Sequence, residues 1–372
     1  TEDGKIEKAD KLYYDIDNFV NDISFLANDL PRLNVSLRNQ LSENYNTWES
    51  NKGRFKTFSE YPFVKNIFDN FANYANLFSI KENSIRFIHF LSVNGSIAST
   101  PPEYPFFVED GKYVTANQNV YQKNEIGSEL ASHSWIDKNW LRFLDNQYFA
   151  KDEEKVRLYL SSKCNIKEIT SSDCYRTFIA NESRVSIIAA NIKDKSSNID
   201  FYHYLLHIQD VVSNLTQIMR QNYCILTTDG NNTLWSPITK TIFWQDEEWY
   251  KMHQAIWMPK ECCLAVDNCY FENLSEEEAT QLRTLFSTKQ IVQKVTISGL
   301  YQSLRTRLDD VFEMIDTKEI SKDFLNFLFK HQTEIFKNGQ IDNIFKKTPI
   351  LCKDNDDLVT IESYNGRIYL PN

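Results

Sequence analysis

The sequence predicts an α+β protein made of tandem units of about 120 residues, and three observations carry that reading. First, a block recurs. Residues 135–149 run from Trp135 through Leu141 to Asp145-Asn146-Gln147-Tyr148-Phe149, and residues 257–271 run from Trp257 through Cys263 to Asp267-Asn268-Cys269-Tyr270-Phe271. The Trp, Tyr and Phe pairs each lie 122 positions apart, as do Tyr121 and Phe243 ahead of them. Second, Asp-Gly stands between apolar stretches at Asp110-Gly111 and Asp229-Gly230, the strongest short hairpin signal. Third, apolar residues recur at helical spacing before and after each of these blocks.

Residues 1–83 read as a helical segment. Tyr13, Ile16, Phe19, Val20, Ile23, Leu26 and Leu30 form one stripe that stops at Pro31, and Val64, Ile67, Phe68, Phe71, Tyr74 and Leu77 form another. A first α+β unit covers 84–200. It opens with Phe87-Ile88-His89-Phe90-Leu91, a short apolar helix or strand, and continues through the hairpin of Pro105 to Thr115. A second unit covers 201–323 and opens with Phe201-Tyr202-His203-Tyr204-Leu205. Residues 324–372 read as the start of a third unit, from Phe324-Leu325-Asn326-Phe327-Leu328 to a hairpin near Pro349 and Ile368-Tyr369-Leu370. Helices follow the repeated block in both full units, and Ser275 with Glu278 forms a capping box ahead of the second. Val185-Ser186-Ile187-Ile188-Ala189-Ala190 reads as a buried strand, and a helix is expected from Leu300 to Ile315. The third unit stops after its hairpin and the chain opens at Thr1, so a piece of a longer protein is expected.

Composition narrows the function classes. The 9 glycines in 372 residues fall well short of the usual share of about 7%, which argues against glycine-rich phosphate loops. With 51 acidic against 41 basic residues and no basic run longer than Lys346-Lys347, nucleic-acid and anionic-membrane partners are disfavoured. No apolar run approaches the roughly 20 residues of a membrane span, and no signal peptide opens the chain. Seven cysteines without dense spacing point to a reducing, cytoplasmic compartment.

No catalytic signature stands out. His203 and His207 have the i, i+4 spacing of zinc ligands but lack the Glu of the metalloprotease motif. Cys262, Cys263 and Cys269 do not have zinc-knuckle spacing and read as core thiols. Glu247-Glu248 and Asp309-Asp310 read as solvated faces. Asp145 and Asp267 recur with their Asn neighbours, which suits turn caps, and Trp135 and Trp257 read as core anchors. No catalytic residue, cofactor or metal is therefore expected.

Pro105 to Tyr121, Trp135 to Phe149, Cys164-Asn165-Ile166-Lys167 and Pro349 to Pro371 resemble the tandem modules of large sacsin-like and NO VEIN-like proteins. That resemblance implies repeat modules beside a histidine-kinase-like (GHKL-type) ATPase domain in chaperone-like or defence-related proteins. The ATPase's own motifs are not seen in this chain, so no ATP-binding residue is carried over. The expected function is a non-catalytic interaction module, partnered by other domains of the same polypeptide and by further proteins. Two alternatives stand beside it: an enzyme with a site in the cleft between the two units, and a nucleic-acid-binding defence component.

Overall fold

The computed structural model describes residues 23–29, 60–94, 98–213, 215–335, 347–351 and 358–360. Of the described residues 55% are helix and 10% strand, in small sheets that form no barrel among them, so the class is α+β as expected. Two compact units result: Thr1–Ser132 with Ile136–Thr170, and His133–Trp135 with Ser171–Asn372. Compactness thus divides the chain near 170, whereas the repeat boundary drawn from sequence lies at 200. The intervening residues go with unit 2 because they pack there: Tyr223 Oη donates to Ile179 O at 2.8 Å.

In unit 1 the stripe from Val64 to Leu77 forms two helices, α1 (Glu60–Asp69) and α2 (Phe71–Phe78). Asn70 separates them, at φ −116°, and its side-chain amide donates to Asn66 O at 2.9 Å. This is the local side-chain bonding by which Asn competes with helix continuation. Phe87 to Leu91 lies in a helix, α3 (Lys81–Val93), buried from Asn83 to Ser92 except for Arg86. A helix buried almost all round is a central core element. Of the first stripe, Ile23 and Leu26 are buried in this core, and Tyr13 to Val20, Leu30 and the Pro31 stop lie outside the described residues.

Strands β1 (Phe106–Phe107) and β2 (Tyr113–Val114) pair antiparallel around Gly111, whose φ of +79° a side chain would resist. Then β3 (Val120–Tyr121) pairs parallel with β4 (Arg142–Phe143) across helix α4 (Glu125–Ser132). Helix α5 (Glu153–Lys163) follows, and Gln122 pairs parallel with Glu168 beyond it.

Unit 2 begins with a correction. Val185 to Ala190 is not a strand but part of α6 (Glu182–Asn191). Asn181 caps it by accepting from Ser183 N, and only Val185 and Ile188 are buried while Ile187 faces out, an i, i+3 pattern that outweighs the β-branched content. Helices α7 (Lys195–His207) and α8 (Gln217–Asn222) precede a three-stranded sheet of order β6-β5-β7, with β5 (Cys224–Thr228), β6 (Thr233–Pro237) and β7 (Ala265–Val266). Gly230 turns the hairpin at φ +93°.

Helix α9 (Glu247–His253) stands where α4 does in the first copy, and Phe243 pairs parallel with Ala265 just as Tyr121 pairs with Phe143. The capping box forms at α10 (Glu276–Thr288), with Ser275 and Glu278 bonding each other's backbone amides. The expected helix from Leu300 to Ile315 is two, α11 (Ile297–Arg305) and α12 (Leu308–Glu313). The third copy opens with α13 (Lys318–Lys330), and its β8 (Ile350–Leu351) pairs antiparallel with β9 (Leu358–Val359). Ile368 to Leu370 lies outside the described residues.

Candidate functional site at the repeat joint

The polar side chains that recur are bonded inside each copy. The helix that opens a copy carries a buried polar residue at one equivalent position: Ser84, Asn198 or Ser321. Each donates to the carbonyl that leads into the first hairpin strand, Ser84 Oγ to Pro105 O at 2.7 Å, Asn198 Nδ2 to Cys224 O at 3.1 Å and Ser321 Oγ to Pro349 O at 2.5 Å. A tyrosine closes the network from the other side. Tyr148 Oη accepts from Phe107 N at 3.1 Å, and Tyr270 Oη accepts from Leu226 N at 2.7 Å while donating to Asn198 Oδ1. Burial holds the Tyr270 phenol well above its ordinary pKa, so it stays a donor. Buried polar groups matched in this way cost little, and losing one partner exposes the full desolvation penalty of the other.

Asp145 and Asp267 are the turn caps that sequence implied. Their Oδ1 atoms accept from Gln147 N and Cys269 N, both at 2.9 Å. Each Oδ2 holds a second partner: Lys81 Nζ at 2.5 Å for Asp145, and Thr233 Oγ1 at 2.7 Å for Asp267. Burial raises the Asp267 carboxyl, but the Cys269 amide, the Thr233 hydroxyl and the charge of Lys195 together bring it below the ordinary value. A cation also sits on each repeated Phe: the Arg157 guanidinium lies 4.4 Å from the Phe149 ring centre, and Arg283 lies 4.4 Å from that of Phe271.

The two tryptophans do more than fill a core. Trp135 Nε1 donates to Asp200 Oδ2 at 2.9 Å, and Trp257 Nε1 donates to Asp323 Oδ2 at 2.8 Å. Asp200 is in α7 and Asp323 in α13, the helices that open the following copies. The Trp135 ring meets Phe201 and Tyr204 at 5.2 and 5.4 Å, and the Trp257 ring meets Phe324 and Phe327 at 5.0 and 4.8 Å. In both helices the Asp, the next residue and the aromatic four positions after the Asp form one Trp-binding face. Trp135, carried by the first copy in sequence, accordingly belongs to unit 2. Both indoles are at most 1% exposed.

The opening helix of the first copy has Arg86 where α7 and α13 have Asp. Arg86 Nη2 donates to Ser24 Oγ at 2.9 Å, and Phe87 packs against Phe25 at 6.5 Å and Phe68 at 6.0 Å. The N-terminal residues thus cover the face that receives a Trp in the later copies.

The other candidates take structural places. His203 Nε2 lies 2.7 Å from Tyr270 O, and no group of His, Cys, Asp and Glu among the described residues has the geometry to hold a metal ion. Cys262, Cys263 and Cys269 are buried free thiols, and burial pushes them up to about 11, 12 and 12 respectively. Glu247 and Glu248 face solvent on Lys251, at 3.0 and 2.9 Å. Asp310 meets Arg307 at 3.1 Å, and Asp309 is exposed. Sequence reasoning missed Asp200 and Asp323, although a signal was present: Asp stands directly before Phe201 and Phe324, and Arg before Phe87. No helix among the described residues is long and apolar enough to cross a membrane. Comparison with family models, curated proteins and solved structures gave no match.

Proposed function

We propose that this chain is a non-catalytic repeat module of a larger cytoplasmic protein, in which Trp-to-Asp keys couple one copy to the next. The observation that carries this reading is the repetition of one joint. The Trp that opens the block of one copy lies on the Asp-Phe face of the next copy's opening helix, twice, with donor–acceptor distances of 2.9 and 2.8 Å. Repeat arrays gain stability from such nearest-neighbour interfaces and pass local change along them. The resemblance to sacsin-like and NO VEIN-like modules implies an ATPase domain elsewhere in the polypeptide, which would be the source of that change. The module's partners are then other domains of the same chain and proteins bound along the array.

Hydrogen exchange on the whole chain tests the coupling. Asp323→Ala is expected to speed amide exchange on both sides of the joint, in α13 and in residues 257–263, while β5 and β6 keep their protection. Faster exchange in α13 alone would mean that the joint transmits nothing, and the reading would fail.

A further inference from the structure

The two copies differ at one place in a way that opens a cavity. In the second copy, α9 presents Trp249 and His253 to the sheet. The Trp249 indole donates to Cys263 O at 2.9 Å and is stacked by His253 at 4.6 Å. His253 Nε2 in turn bonds the carbonyl of Asp229 in the hairpin turn. The imidazole lies so close over that turn that a Cβ on Gly230 would be 2.6 Å from it. These two rings plug the space between α9 and the hairpin.

In the first copy the same helix positions are Gly127 and Ala131. Phe143 replaces Ala265 on the strand and takes the room of the indole, lying 3.0 Å from where a Gly127 Cβ would be. Nothing replaces the imidazole. A cavity of about 440 Å³ remains, walled by Val108, Ala131, Leu141 and Phe143. That volume is within the range of small-molecule sites.

Charge has been added around the opening. Arg142 stands where the second copy has Leu264, and Lys123 where it has Gln245. Lys123 is tied to Glu109 at 2.7 Å, and the Asp110 carboxylate to Lys112 at 3.2 Å. Arg142 and Lys138 also line the cavity and make no ion pair within 4.0 Å among the described residues, though the charge of Arg142 helps to hold the Asp110 carboxyl below its ordinary value. The lining thus combines apolar walls with Ser128 and Ser132, two carboxylates already held by Lys123 and Lys112, and the two further cations Arg142 and Lys138.

The geometry points to a ligand site in unit 1 for a planar nitrogen heteroaromatic acid. Its ring takes the place that the His253 imidazole holds in the second copy, with a ring N–H on the Asp110 carbonyl and its anionic group on Arg142 and Lys138. This goes beyond the coupling role and does not depend on it, since none of these residues belongs to the Trp–Asp joint.

Imidazole-4-acetate, titrated calorimetrically into the whole chain, is the probe. One saturable site is expected, at least tenfold weaker in Arg142→Ala and absent in Ala131→His, where the new side chain refills the cavity. Circular dichroism checks that each variant is folded. In a separate arm, His253→Ala should gain an imidazole-binding site beside Trp249. The proposal is overturned if the chain shows no saturable binding, if binding persists unchanged in folded Ala131→His, or if Arg142→Ala leaves the affinity unaltered. Should Ala131→His not fold, the Arg142→Ala and His253→Ala arms still decide.

Discussion

The first copy puts Gly127 on the helix and Phe143 on the strand, whereas the second puts Trp249 on the helix and Ala265 on the strand. The large residue has changed sides, and the room of the Trp249 indole is filled either way. By contrast, the tyrosine at 148 and 270 keeps its strand amide, the aspartate at 145 and 267 its capped turn amide, and the tryptophan at 135 and 257 its helix aspartate. The comparison separates two kinds of core position. Apolar fill can be exchanged if total volume is kept. A buried donor or acceptor cannot be, because its partner is left in a place without water.

That distinction orders the expected effects. Trp257→Ala removes both a buried indole and its hydrogen bond to Asp323, and should cost about 3–5 kcal/mol of unfolding free energy. Urea denaturation followed by circular dichroism measures it, and a loss below about 1 kcal/mol would put the joint among the exchangeable fillings. Asn198→Ala comes next. It strips partners from Cys224 O and from the Tyr270 hydroxyl, and about 1–3 kcal/mol is expected in the same assay.

The smallest effect is acid dependence at Asp267. Its carboxyl is lower in the folded state than in the unfolded chain. Its stabilisation is therefore full above the ordinary carboxylate range, about pH 4, and is lost as pH falls through the folded value. Asp267→Asn should flatten the stability profile in that acid range and leave its shape above pH 6 unchanged. A variant profile that stays parallel to the parent's down to acid pH would remove Asp267 from the account.

Much of the frame was legible in the sequence because it depends on local chemistry. The Asp-Gly turns, the Ser275–Glu278 capping box and the Asp145 and Asp267 caps each involve residues within a few positions of one another. The repeat spacing then marked which of them mattered. What was not legible depends on tertiary contact. Val185 to Ala190 is apolar and β-branched enough to read as a strand, and only its burial at every third position shows a helix. Trp135 and Trp257 could be identified as anchors, but their partners lie 65 and 66 residues further on. An Asp on an amphipathic helix looks like a solvent residue until a tryptophan is found against it. The division near 170 is invisible for the same reason, since it follows from where α6 packs. The cavity in the first copy could not be read either: Gly127 and Ala131 gain meaning only when aligned with Trp249 and His253.

The central claim is that the Trp–Asp key energetically couples consecutive copies. A double-mutant cycle on Trp257 and Asp323 tests it most directly, with Trp257→Phe removing the N–H while keeping an aromatic ring and Asp323→Ala removing the acceptor. The account predicts non-additivity of about 1 kcal/mol or more in unfolding free energy. Two losses that add to within about 0.3 kcal/mol would show that the indole and the carboxylate are neighbours without being coupled, and would contradict it.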